Sequence, residues 1–98
     1  MMESKVKILI ADETKDFTRL CREKLGQLGY RELYEAHNGE EAQSMIMTHR
    51  PDVVLMDIWL SKKDPLQILK EIRKSRRCLY QRNYKKNISR SHLVFYFF

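Results

Sequence analysis

Residues 51–57, Pro-Asp-Val-Val-Leu-Met-Asp, are the stretch that decides the fold class. The run from Val53 to Met56 is apolar without alternation, which is typical of a strand that is buried on both faces. Such a strand belongs in the middle of a parallel sheet that has helices on both sides. Pro51 ends the preceding helical pattern, and Asp57 closes the strand.

Two further strands and three helices surround this stretch. A second apolar strand is predicted over Val6–Ala11, and Glu32–His37 predicts a weaker strand at an edge of the sheet. Apolar residues at three- and four-residue spacing predict helices over about Lys15–Leu28, over about Glu40–His49 and from about Pro65. The resulting order, strand then helix three times over with short connections, predicts an open α/β sheet with right-handed crossovers.

Each helix has a predicted inner face and predicted ends. The inward residues are expected to be Phe17, Leu20, Cys21, Leu25 and Leu28 in the first helix, Ala42, Met45 and Ile46 in the second, and Leu66, Leu69 and Ile72 in the third. Thr14 or Asp16 suits the start of the first helix, Gly29 its left-handed end, and Asp64 with Pro65 the start of the third.

Three carboxylates follow the strands: Asp12 and Glu13 after the first, and Asp57 after the third. Sites in doubly wound sheets form outside the carboxyl ends of the strands, where the strand order reverses. If the first and third strands are neighbours, the three carboxylates converge, and Mg²⁺ is the cation whose preferences suit them. A carboxylate beside such a metal is a competent nucleophile for a phosphoryl group.

Three segments in the same order resemble the receiver domain of two-component response regulators. They are Lys7–Glu13 (KILIADE), Asn38–Ala42 (NGEEA) and Pro51–Asp57 (PDVVLMD), with the family's spacing between Asp12 and Asp57. The resemblance covers about residues 5–75 and implies a doubly wound parallel sheet of the flavodoxin type with strand order 2-1-3 for this portion. Residues 1–75 are thus interpreted as an incomplete receiver domain.

The resemblance also implies a site and a partner. Asp57 would be the phosphoacceptor, and its donor would be a sensor histidine kinase or a phosphotransfer protein. Glu13 and Asp57 would bind Mg²⁺ through their side chains, Asp12 through water and Trp59 through its backbone carbonyl. The domain would be no enzyme beyond catalysing its own phosphorylation. Glu13 stands where the family usually has Asp, and Pro65 where it usually has Gly.

Residues 76–98 have a different composition from the rest of the chain. Residues 1–75 carry 13 Lys or Arg and 13 Asp or Glu, so the whole net charge of +6 lies after Ser75. Six of the ten aromatic residues lie there too. The family's fourth strand ending in Ser or Thr and its fifth ending in Lys-Pro are not found, although His92–Phe98 has the character of one extra strand. Ser89, Ser91, Lys85 and Lys86 all precede that strand. We interpret this basic aromatic tail as unrelated to the receiver pattern, through truncation or a shift of reading frame, which predicts impaired signalling.

The sequence leaves two other interpretations open. Val53–Met56 would have an open edge unless the tail strand covers it, and an open edge would favour a non-catalytic module that self-associates. The basic tail could contact nucleic acid, although six cations without a recognisable binding fold give that little support. No apolar run has the length of a membrane helix, and Cys21 and Cys78 are not spaced as a metal pair, so a cytoplasmic protein is expected.

Overall fold

The computed structural model describes residues 4–76, 78–83 and 92–97. Three strand-helix units are followed by two more strands. The elements are β1 Ser4–Ala11, α1 Lys15–Gln27, β2 Tyr30–Ala36, α2 Gly39–His49, β3 Val53–Asp57, α3 Pro65–Ile72, β4 Cys78–Asn83 and β5 His92–Phe97. None of the helices in these ranges has the length and apolar character that a membrane crossing requires.

The five strands form one sheet in the order β2-β1-β3-β5-β4. β1 lies between β2 and β3 and runs parallel to both. The predicted 2-1-3 arrangement and the α/β fold of the flavodoxin-like receiver type are therefore confirmed, with β2 at an edge as expected. The chain leaves β1 for β2 and then crosses back to β3, so right-handed crossovers put α1 and α2 on opposite faces.

The outer edge of β3 is covered by β5, which runs antiparallel along it from the Val53–Tyr96 pair to the Asp57–His92 pair. Of the two outcomes expected for that edge, coverage by the tail strand is the one observed. β4 pairs antiparallel with β5 and was not predicted. Phe98, Lys85, Lys86, Ser89 and Ser91, which entered the expectations for the tail, lie outside the described residues.

The main core lies between the sheet and the helices α2 and α3. It consists of Leu9, Ala11, Ala36, Ala42, Ile46, Val54, Met56, Leu60, Ile68, Leu69 and Ile72. Alternate residues of a strand face opposite sides, and Ile8 and Ile10 are buried as well. β1 is thus buried on both faces, as its unbroken apolar run predicts.

Two helix faces differ from their predictions. Leu20 in α1 is 51% exposed and Leu28, the C-cap residue that follows α1, is 69% exposed, whereas Thr18 is fully buried. The predicted apolar stripe is wider than the face that α1 turns to β1 and β2, so two of its members point away from the sheet. In α3, Leu66 is 39% exposed because the inward face begins at Pro65. Counting from Pro65 at helical spacing gives the buried residues Ile68, Leu69 and Ile72.

The helix ends largely follow the predicted signals. Asp64 caps α3 by accepting a hydrogen bond from the Leu66 N–H at 3.0 Å, with Pro65 in the first turn. Gly29 has φ +99 and ends the α1 unit in the left-handed region. Thr14 occupies the N-cap position of α1 but makes no side-chain cap bond.

Candidate functional site

The carboxyl ends of β1 and β3 lie side by side. The last paired residues of the two strands are Ala11 and Met56, so Asp12 and Asp57 follow at neighbouring positions. The strand order reverses between β1 and β3, and sites of doubly wound sheets form at this point. The predicted meeting of Asp12 with Asp57 therefore follows directly from the observed register.

Both aspartates are almost completely removed from solvent. Asp12 is 0% exposed and Asp57 is 5% exposed. The Asp12 Oδ1 accepts a hydrogen bond from the Thr14 N–H at 2.8 Å, and the Asp57 Oδ1 accepts one from the Trp59 N–H at 3.0 Å. Each carboxylate is thus oriented by the backbone two residues further along the chain, in the manner of an Asx turn. Two buried carboxylates side by side are costly unless cations or hydrogen bonds compensate them.

Trp59 lies next to the site through its backbone. Its N–H holds Asp57, while its side chain is 70% exposed. The indole is therefore turned to solvent, and only the main chain of this residue is available to the site.

Glu13 is exposed and reaches across to the loop between β3 and α3. Its Oε1 accepts a hydrogen bond from the Ser61 N–H at 2.6 Å. The Ser61 carbonyl in turn accepts from the Gly39 N–H at 2.8 Å. Ser61 is thus held between the end of β1 and the start of α2, which links the loop after Asp57 to two other elements.

The loop between β3 and α3 is also held by a polar cluster of Lys63, Gln43 and Glu71. The Lys63 ammonium donates to the Gln43 Oε1 at 2.6 Å and to the Glu71 Oε2 at 3.0 Å, and Gln43 also donates to Glu71. The hydrogen bond from Lys63 lowers the pKa of Glu71. These contacts join the loop to α2 and α3.

Within residues 4–76, 78–83 and 92–97, no three Asp, Glu, His or Cys side chains form a group that could hold a metal ion. Asp12 and Asp57 come together as predicted, whereas Glu13 is bonded to Ser61. The donor chemistry of Asp12 and Asp57 nevertheless suits Mg²⁺, because this ion often takes only one or two carboxylates and completes its shell with waters and phosphate oxygens.

A second group of polar side chains surrounds the carboxyl end of β2. Glu35 bonds the Arg22 guanidinium at 3.0 Å, and the His37 ring lies 3.7 Å from Glu35 and 3.9 Å from Glu41. The neighbouring Thr18 hydroxyl and the Arg22 guanidinium lower the pKa of Glu35. The contacts of this group connect β2 to α1 through Arg22 and, through His37, to Glu41 of α2.

Glu35→Gln is expected to lower the Tm at pH 7, and the difference from wild type is expected to shrink as the pH is lowered towards pH 3. The folded-state pKa of Glu35 is depressed, so the stabilisation is complete above the unfolded-state pKa and is lost as the pH falls through the folded value. Thermal unfolding of both chains between pH 3 and pH 7 measures the difference. Glu32→Gln, on an exposed position of the same strand, controls for the loss of one surface charge. A Tm difference that is the same at both pH values would contradict the prediction.

Sequence reasoning missed two residues of the site region. No sequence pattern identifies Ser61, because it contributes through its backbone N–H and carbonyl, and the path of the loop decides where these groups lie. Gly39 was noted only as part of the segment Asn38–Ala42, but its Cα faces the Lys63 backbone so closely that a Cβ would lie 2.8 Å from the Lys63 carbonyl carbon.

The fold and the aspartate pair define a class: a flavodoxin-like α/β domain with an acidic site at its switch point. The family model of the response regulator receiver domain matches residues 8–80. The chain therefore belongs to the receiver domain family of response regulators, a family of signalling domains.

Two known proteins show the extent of the similarity. "Probable transcriptional regulator ycf27" of Guillardia theta is 36% identical over 73 residues, which are 74% of this chain and 28% of that protein. The crystal structure of the N-terminal domain of an uncharacterized protein from Wolinella succinogenes superposes with a TM-score of 0.66 at 29% identity. That match covers 70% of this chain and 55% of the other. The chain thus spans only part of the length of both proteins.

Proposed function

We propose that this chain is a phosphoacceptor domain of a two-component phosphorelay and that Asp57 receives the phosphoryl group. The observation that carries the proposal is the placement of Asp57: it is 5% exposed, ends the central strand β3 and lies beside the buried Asp12 at the switch point. A carboxylate held in this way can attack phosphorus and form an aspartyl phosphate.

The backbone contact of Asp57 supports different roles for its two oxygens. The Trp59 N–H donates to Oδ1, so we assign Oδ2 as the attacking oxygen. Holding one oxygen fixes the plane of the carboxylate and so reduces the entropy that the attack must overcome. Burial keeps competing water away from the carboxylate.

We propose Mg²⁺ as the cofactor, held by Asp57 and Glu13 through side chains, by Asp12 through water and by the Trp59 carbonyl. When bound, the ion would supply positive charge that compensates the carboxylates and the phosphoryl oxygens. Asp12 and Asp57 are supported by their adjacency and burial. Glu13 would have to exchange its hydrogen bond with Ser61 for the ion.

The partner that we propose is a sensor histidine kinase or a phosphotransfer protein, and the proposed location is the cytoplasm. The chain would catalyse nothing beyond its own phosphorylation. Family membership supports these assignments. Self-association through an open β3 edge has no structural basis, because β5 occupies that edge. The outer strands of the sheet are β2 and β4, and light scattering over a range of concentrations would detect association of two chains through these strands.

Acetyl phosphate with Mg²⁺ is expected to add one phosphoryl group to the wild-type chain and none to Asp57→Asn. Mass spectrometry of the intact protein measures the addition, and omission of Mg²⁺ is expected to suppress it. Asp64→Asn is the matched control, because Asp64 is exposed and an Asn can still cap α3. A wild-type chain that is folded by circular dichroism and stays unmodified would disprove the proposal.

A further inference from the structure

The backbone of Ser61 joins three parts of the site region. Its N–H donates to the Glu13 Oε1 at 2.6 Å, and its carbonyl accepts from the Gly39 N–H at 2.8 Å. The same carbonyl accepts from the Lys63 N–H at 2.9 Å. Of these three bonds, only the one to Glu13 involves a charged side chain, whereas the other two join backbone groups.

Glu13 is also the neighbour of the aspartate pair. It directly follows Asp12 in the chain, but its side chain is exposed and its carboxylate is bonded to Ser61. In this rotamer it does not form a metal-ligating group of three with Asp12 and Asp57, and the described part of the chain contains no such group. The carboxylate must therefore turn away from Ser61 before it can serve a cation at the two aspartates.

This turn has a low barrier and a definite cost. Exposed side chains change rotamer within nanoseconds, so the carboxylate can move without a rearrangement of β1. The cost is the hydrogen bond to the Ser61 N–H, which is strengthened by the negative charge of the acceptor. Mg²⁺ demands near-ideal octahedral geometry, which leaves little freedom for a carboxylate to serve the ion and the loop at once.

We propose that Glu13 is a positioning residue that holds the loop between β3 and α3 through Ser61 and gives up this bond on binding Mg²⁺. The inference rests on the proposed function, because it requires Mg²⁺ at Asp12 and Asp57. By linkage, the Glu13–Ser61 bond and the binding of Mg²⁺ weaken each other by the same factor. The loop then loses its link to the end of β1, while its contact with α2 through the Gly39 N–H remains.

The test follows backbone amides of the full chain by NMR during a titration with MgCl₂. The shift of the Trp59 amide, which donates to Asp57, gives the Kd. Exchange of the Ser61 N–H with solvent is expected to become about tenfold faster at saturation, the usual scale for losing a hydrogen bond to a charged group. The Gly39 N–H is the internal control, because its bond to the Ser61 carbonyl is expected to persist.

Two substitutions of Glu13 separate its contact with the loop from its contact with the ion. The carboxylate of Glu13→Asp is one methylene shorter and falls short of the Ser61 N–H. This N–H is expected to exchange fast without Mg²⁺, and the Kd for Mg²⁺ is expected to fall about tenfold, because no hydrogen bond has to be broken. Glu13→Gln keeps an oxygen that accepts from Ser61 but has no charge for the ion, so the Ser61 N–H is expected to stay protected at every MgCl₂ concentration.

Glu23→Asp is the matched control for Glu13→Asp. It shortens a carboxylate at an exposed position of α1, and it is expected to change neither the Kd nor the exchange of the Ser61 N–H.

The outcomes separate this inference from the proposed function. If Mg²⁺ shifts the Trp59 amide of wild type while the exchange of the Ser61 N–H stays constant, the inference is wrong and the metal site stands. A Kd of Glu13→Asp that is equal to or higher than the wild-type value would likewise overturn the competition. If Mg²⁺ shifts no amide of the folded wild-type chain, the proposed cofactor and this inference are both wrong.

Discussion

Gly39→Ala is expected to lower the free energy of unfolding by about 3 kcal/mol, the upper end of the usual range for overpacking. A Cβ at this position would lie 2.8 Å and 2.9 Å from the carbonyl carbon and the Cα of Lys63. Both are backbone atoms of a loop that is held by Ser61, Gln43 and Glu71. The clash therefore cannot be relieved by rotating a side chain.

Gly26 provides the matched control for this substitution. It lies in α1, and a Cβ added there would meet nothing within 4 Å. Gly26→Ala is expected to raise the stability by about 0.5–1 kcal/mol, because alanine loses less backbone entropy in a helix. Urea unfolding followed by circular dichroism measures both variants. Equal stability of the two variants would contradict the close contact between Gly39 and the Lys63 backbone.

Ile68→Ala is expected to cost about 2–5 kcal/mol. Ile68 is fully buried on the inner face of α3, where it belongs to the core between the sheet, α2 and α3. Removal of its outer carbons loses their transfer free energy and leaves a cavity that close-packed neighbours fill only in part. In a small domain whose total stability is about 5–15 kcal/mol, this loss is a large fraction.

Leu66, on the same helix, is the control for Ile68. It is 39% exposed, so Leu66→Ala should cost less than about 1 kcal/mol. Denaturant midpoints at an unchanged m-value give the comparison. A larger loss for Leu66 than for Ile68 would mean that the helix faces the sheet as the sequence first suggested, with Leu66 inward.

The three parallel strands were predictable because their signals are local. Val6–Ala11 and Val53–Met56 are unbroken apolar runs, and each is followed by an aspartate. Once the strand order was known from the resemblance, adjacency of Asp12 and Asp57 followed. The sequence pattern was wrong about the inner face of the first helix. Its apolar stripe is wider than the surface that the sheet covers, so the exposure of Leu20 and Leu28 depends on tertiary packing.

The remaining differences come from contacts between distant parts of the chain. The pairing of β4 with β5 has no periodic signature in the sequence, whereas the pairing of β5 with β3 was one of the two outcomes expected for the β3 edge. The bond between Glu13 and Ser61 depends on the path of a loop, which residue types alone do not fix. The charge change after Ser75 marks a boundary in composition, yet β4 and β5, which lie beyond it, extend the sheet.

The antiparallel pairing of β5 with β3 also has a consequence for the order of events during synthesis. Asp57 and His92 are 35 positions apart in the chain, so at about 5–20 residues per second the ribosome needs a few seconds between them. During that interval the nascent chain can form its three strand-helix units, because their contacts are comparatively local. The β3 edge stays unpaired until β5 has been synthesised. During this interval a chaperone or a second nascent chain has access to the unpaired edge.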